Sequence, residues 1–268
     1  MGREQRSVFT WVLVALSVAG LALLTLPTIA LVVRTIEARN ALDREQARDI
    51  LREALLLSLG TSTIALGMVV LVGTPIAYLL ARGRFPGVRL LDALVDLPII
   101  LPPAVAGIAL LSAFGRRGLL GDTFESLGVE IAFSTTAVVI AQAFVSAPFY
   151  IRTARAGFAR IDHALEEAAA NLGASPWQVF RRITLPLSRA SLIAGAVLAW
   201  ARALGEFGAT IMFAGSRQGV TQTMPLAIYE RFGAGDLPTA LMLSTILLGT
   251  SVVFLVVVRW AGEPSRTR

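Results

Sequence analysis

Six stretches of this chain are long and apolar enough to force most of it out of water: residues 8–33, 54–81, about 90–114, 131–151, 190–213 and 239–258. A helix rises about 1.5 Å per residue, so ~20 such residues cross the ~30 Å hydrocarbon core of a bilayer. No water is present there to satisfy a free N–H or C=O, which leaves helices as the form open to runs of this length. The expected fold class is an all-α membrane protein with six transmembrane helices. The first run exceeds the apolar centre of a secretion signal, and no small-x-small cleavage site ends it, so a retained first span is expected.

What is missing narrows the chemistry. The chain has no cysteine, so disulfides and thiolate metal sites are excluded, and no metal site is expected. The net charge of +6 is carried by arginine alone, because there is no lysine. A P-loop needs its lysine to reach the phosphates, so this chain cannot hydrolyse ATP by that route. It is not expected to be an enzyme or to bind a cofactor, and ATP-driven work would have to come from a partner. An intramembrane hydrolase would need a nucleophile and a base, yet the single histidine, His163, lies in a polar loop, and neither G-x-S-x-G nor H-E-x-x-H occurs. A nucleic-acid partner is not expected.

Arginine placement gives the orientation. With the N-terminus inside, inner segments carry 14 arginines against seven acids, and outer segments carry nine against ten. Both termini and the polar segment 152–189 are thus expected in the cytoplasm. Residues 34–53 read as a short exposed helix outside the membrane, 115–130 as a polar loop, and the stretch up to Pro238 as a Gly-rich loop.

Two places within the apolar runs break the rule that lipid enforces. Pro98, Pro102 and Pro103 remove three backbone donors within six residues and should interrupt or sharply kink the third span. Irregular backbone at depth is tolerated where it lines a cavity or is buried in protein, so a pathway-facing elbow and a kink filled by neighbouring helices both stay open. In the fifth span Arg202 and Glu206 stand one turn apart on one helical face and can pair. Intramembrane ions of this kind either hold helices together as a neutral pair or meet a substrate. Gly205 and Gly208 thin the helix there and would admit another backbone.

The longest polar interruption of the second half runs from Glu167 to Pro186. Asp162 can cap a helix over 163–172, and Gly173 suits the left-handed position after it. Ser175 then caps a second helix with Pro176 at its first position, where the missing N–H is no loss. Glu167-Ala168-Ala169, Gly173, Ile183 and Leu185-Pro186 fall at the spacing E-A-A, three residues, Gly, nine residues, Ile, one residue, Leu-Pro. This resembles the cytoplasmic EAA loop of permease subunits of binding-protein-dependent ABC importers. Arg202–Thr210, Phe213-Ala214-Gly215 and Thr221–Tyr229 are similar to the molybdate-importer permeases and their tungstate counterparts. Leu101–Gly107 and Gly115–Gly121 carry the same likeness, which runs from about Glu53 to Trp260. His163 departs from the proline common there, a mild change in helix initiation.

The resemblance implies a type I ABC importer permease fold with a two-helix EAA coupling loop, in the cytoplasmic membrane of a bacterium or archaeon. It also implies a homodimer in membrane lipid, two cytoplasmic ABC ATPase subunits holding ATP and Mg, and a periplasmic or surface-tethered substrate-binding protein. Glu167 and Ala168 would seat the helix in an ATPase groove, Ala169 would permit close contact, and Gly173 would set the lever angle. Ser175, Leu185 and Pro186 complete that coupling set. The domain plan is a first span with its outer segment over 1–53, a transmembrane domain over 54–260 containing the coupling loop 152–189, and a tail over 261–268. A sulfate–thiosulfate permease is the nearest rival, and a membrane scaffold without transport is the other; co-purification with an ATPase subunit separates the scaffold from a permease.

Overall fold

The computed structural model describes residues 3–38, 45–83 and 86–262. Parts of the basic turn at 82–87, of the outer segment at 34–53 and of the terminal tail therefore lie outside the described residues. Within them the chain is helical, with no strand. In chain order the helices are α1 (Arg3–Glu37), α2 (Glu45–Arg82), α3 (Val88–Ile100), α4 (Pro103–Phe114), α5 (Gly121–Ser126), α6 (Thr135–Ala159), α7 (His163–Asn171), α8 (Pro176–Val179), α9 (Leu185–Leu204), α10 (Gly208–Ala214), α11 (Met224–Gly233) and α12 (Leu237–Gly262). Among the described residues five helices are long and apolar enough to cross a membrane, and six if the bent pair α3–α4 counts as one.

The bundle is organised around α6. Its Tyr150, Ile151, Ala154 and Phe158 pack with Val69, Ala77 and Leu80 of α2 and Ala199 of α9. Lower polarity makes a buried hydroxyl there costly unless paired; Tyr150 and Thr74 meet at 2.6 Å. Further along α6, Ala137, Val138, Ala141 and Val145 pack against Ala106 and Leu110 of α4 and Ala209 and Phe213 of α10. By contrast α1 is exposed along its whole apolar length and leans on α12, where Thr35 reaches the Leu241 carbonyl at 3.1 Å and the Thr245 hydroxyl at 2.7 Å.

Four expectations are corrected. The segment 34–53 is not a separate exposed helix: its second half is the first part of α2. Ala47, Ile50 and Ala54 recur at helical spacing and are buried against Met224, Met242 and Leu243. The region between Ala214 and Pro238 holds α11, whose first N–H, on Met224, donates to Ser58 Oγ at 2.7 Å. The polar loop at 115–130 holds α5. The fifth span does not begin near Ala190 and end near Phe213. It is continuous from Pro176 to Leu204 through a π-helical turn at Phe180–Thr184 and stops at Gly205. Pro186 has no N–H and crowds the carbonyl four residues earlier; the wider turn just before it accommodates that clash.

Candidate functional site

Two of the places where polar groups meet the apolar bundle hold the residues singled out by the sequence: the elbow between α6 and α9, and the junction where the α3–α4 and α9–α10 breaks meet.

At the elbow, Asp162 Oδ1 accepts the Ala164 N–H at 3.0 Å and starts α7. The helix ends in a Schellman motif: the Gly173 N–H donates to Ala170 O and the Ala174 N–H to Ala169 O, at 2.9 and 3.1 Å. Gly173 takes φ +87°, where a side chain would be strained. α7 stops at Asn171, one residue short of the expected end, because Leu172 already belongs to this cap. Ser175 begins α8 with a full capping box: its Oγ accepts the Gln178 N–H, and Gln178 Oε1 accepts the Ser175 N–H at 2.8 Å. Trp177 stacks on Phe180, which meets Tyr78 of α2 edge-on at 5.2 Å.

The elbow is also clamped from outside. Arg82, at the end of α2, reaches Glu166 at 3.2 Å and donates to the Ile161 carbonyl at 3.2 Å. Thr184, fully buried in the π turn, donates to Glu166 Oε1 at 2.6 Å. Arginine only donates, so His163 Nε2, 2.9 Å from Arg82 Nη1, must accept. His163 Nδ1 lies 3.6 Å from the Glu166 carboxylate. Glu166 thus joins α2, α7 and the π turn. Sequence reasoning had singled out Glu167, which is exposed together with Ala168, while Ala169 is half-buried. Leu172 and Trp177 are exposed by 90 and 65 %, leaving an apolar outer face beside an open hollow formed by Ala169, Leu172, Gly173, Gln178, Val179 and Arg182.

Helices α3 and α4 bend by 117° at Leu101–Pro102. Of the three prolines, Pro98 stays inside α3; the break falls at Pro102 and Pro103. Proline forces its predecessor towards extended backbone, and two in succession push Leu101 (ψ 130°) and Pro102 (ψ 139°) out of the helix, while Pro103 suits the start of α4. Gly208 lies against Pro103, where a Cβ would collide. A Cβ on Gly205, by contrast, would meet only the Ala201 carbonyl of its own helix; Gly205 ends α9.

Glu206 therefore does not share a helix with Arg202. It lies in the gap between α9 and α10, only 1 % exposed. Its Oε2 still pairs with Arg202 Nη1 at 2.6 Å, and its Oε1 accepts the Ala209 N–H at 2.8 Å, closing the first turn of α10. One carboxylate neutralises a charge and caps a helix. The Arg202 side chain is 29 % exposed and borders a hollow of about 130 Å³ between Pro98, Leu101, Pro103, Val145 and Phe149. Leu185 and Pro186 lie at the start of α9, away from this junction.

Similarity to known proteins bears on both places. The "Molybdenum transport system permease protein ModB" of Mycobacterium tuberculosis is 45% identical over 239 residues, covering 88% of this chain and 89% of that one. The "Sulfate transport system permease protein CysW" of Synechococcus elongatus is 40% identical over 206 residues, covering 77% and 72%. Among solved structures, a bacterial alginate ABC transporter in complex with an alginate pentasaccharide-bound periplasmic protein aligns with a TM-score of 0.69 at 18% identity, over 98% of this chain and 95% of that one. At that identity the likeness speaks to fold alone. The family described as "Binding-protein-dependent transport system inner membrane component" matches residues 73–262, a stretch that holds the elbow and the intramembrane junction alike. With most of its length matched by that family, the chain belongs to the binding-protein-dependent transport system inner membrane components.

Proposed function

We propose that this chain is the permease subunit of an ATP-driven importer of molybdate, with tungstate accepted by the same route. The observation that carries the reading is the 45% identity to a molybdenum permease across 88% of the chain, reaching both the elbow and the junction. The 40% identity to a sulfate permease supports the second reading, a sulfate importer.

In this account the chain acts as a homodimer with its termini and the α7–α8 elbow in the cytoplasm. Two ATPase subunits, which hold the ATP and Mg, dock on the elbow, and a substrate-binding protein delivers the anion from outside. Leu172, Trp177 and the exposed Ala168 form the apolar part of the docking face, and Glu167 its charged rim. Closure of the ATPases pushes on α7. Because Glu166 is bonded to Arg82 and Thr184, the push passes into the end of α2 and the root of α9 rather than bending a loop. The Schellman turn and capping box keep the elbow stiff enough to act as a lever. The positive-inside distribution supports this orientation. The cysteine-free chain allows a direct check: a cysteine at Leu119 should label from outside intact cells, and one at Arg181 should not.

The reading is tested by reconstituting the permease with its ATPase in proteoliposomes and adding binding protein loaded with molybdate, tungstate or sulfate. Molybdate and tungstate should stimulate ATP hydrolysis. Stimulation by sulfate alone would transfer the assignment to the sulfate class, and stimulation by none would remove the importer reading.

A further inference from the structure

We propose that the hollow under the α3–α4 bend is a transit site for the anion, and that the Arg202 guanidinium is its binding group; this rests on the importer reading above. Among the described residues Arg202 is the one charged side chain on the hollow's wall, which is otherwise proline and apolar. Its Nη1 pairs with Glu206 at 2.6 Å, and the side chain is 29 % exposed. Its remaining N–H groups form a planar fork, a geometry suited to two oxygens of a tetrahedral oxyanion. At about 130 Å³ the hollow is larger than the ~30 Å³ share of one water and can admit a small anion.

The pairing with Glu206 explains why such a site would pass an anion on rather than trap it. An isolated arginine in a poorly hydrated wall would hold a dianion tightly, and conduction needs binding weak enough to release. Glu206 is fixed, being fully buried and bonded to the Ala209 N–H. Arg202 is partly exposed and so can offer its other N–H groups without breaking the pair. The two helix breaks supply the opening: Gly208 against Pro103 brings the α9–α10 gap to the rim of the α3–α4 bend. A purely structural pair would need neither the hollow nor the exposed fork.

The experiment compares wild type, Arg202→Lys and the double variant Arg202→Met with Glu206→Met, each reconstituted with its ATPase and molybdate-loaded binding protein. The quantity read is molybdate moved per ATP hydrolysed. Both variants keep the net charge of the pair at zero, and the lysine variant also keeps the ion pair and the Ala209 N–H bond should the double variant assemble poorly. The ratio should fall about tenfold in the double variant and several-fold with lysine, which lacks the fork. A ratio within about twofold of wild type in the assembled variants would overturn the transit site while leaving the importer intact. Failure of the wild type to move molybdate at all would instead count against the importer reading.

Discussion

The elbow and the intramembrane junction each hold a carboxylate that pairs with an arginine and braces a helix, but they recruit partners from opposite distances. Glu206 takes Arg202 four residues before it and the Ala209 amide three residues after it. Glu166 takes Arg82 from another helix and Thr184 from beyond the elbow. The local arrangement stabilises one break in one span. The long-range arrangement ties three elements together and turns a surface loop into part of the bundle. The local pair holds the shape of one break, whereas the long-range pair is placed to carry a displacement if the proposed coupling holds.

That contrast can be broken most severely at Glu206. Glu206→Ala leaves Arg202 uncompensated beside an apolar hollow and the α10 turn uncapped, which should cost about 3–5 kcal/mol. A sharp fall in membrane-inserted yield is expected, while Glu206→Gln, which can still accept the Ala209 N–H, should fall less. Equal yields for the two would show that the bond to the Ala209 N–H contributes nothing to the α10 turn.

Glu166→Ala comes next. It removes one of Arg82's partners and strands the fully buried Thr184 hydroxyl, with an expected loss of about 1–3 kcal/mol. The neighbouring Glu167→Ala should leave thermal unfolding unchanged and weaken ATPase co-purification instead. If the two substitutions exchanged these effects, the clamp would belong to Glu167.

Gly173→Val forces a β-branched residue to φ +87°, at a local cost of roughly 1–2 kcal/mol. The bundle should assemble normally, and stimulation of ATP hydrolysis by loaded binding protein should collapse. Unchanged stimulation would mean that the elbow's angle is not what couples the subunits. The smallest effect is expected at His163, whose side chain is 63 % exposed: His163→Ala should change stability by less than about 0.5 kcal/mol, read by thermal unfolding of the purified permease.

The same division by distance explains what the sequence could and could not disclose. Asp162, Gly173, Ser175 and Pro176 act through contacts a few residues away, so the elbow's turns were readable as a pattern. The Arg202–Glu206 pair was readable for the same reason, although Glu206 turned out to lie past the helix end, where Gly205 stops α9. Nothing near Glu166 announces Arg82, which is 84 positions earlier and reaches it through the α2–α6 packing. Pro98 and Pro102 look alike as breakers, and only the second, backed by Pro103, bends the chain. α11 was hidden because glycines on both sides made its region look like loop, while its helical face is buried by residues of α2 and α12.

The central claim, that this permease imports molybdate at the expense of ATP hydrolysed on its partner, is tested most directly by accumulation of radiolabelled molybdate. The complex would be reconstituted so that its elbow faces ATP, with loaded binding protein on the opposite side. Molybdate should accumulate on the ATP-containing side against its gradient, and accumulation should stop without ATP. Movement that merely equilibrates the two sides, or proceeds equally without ATP, would contradict the account.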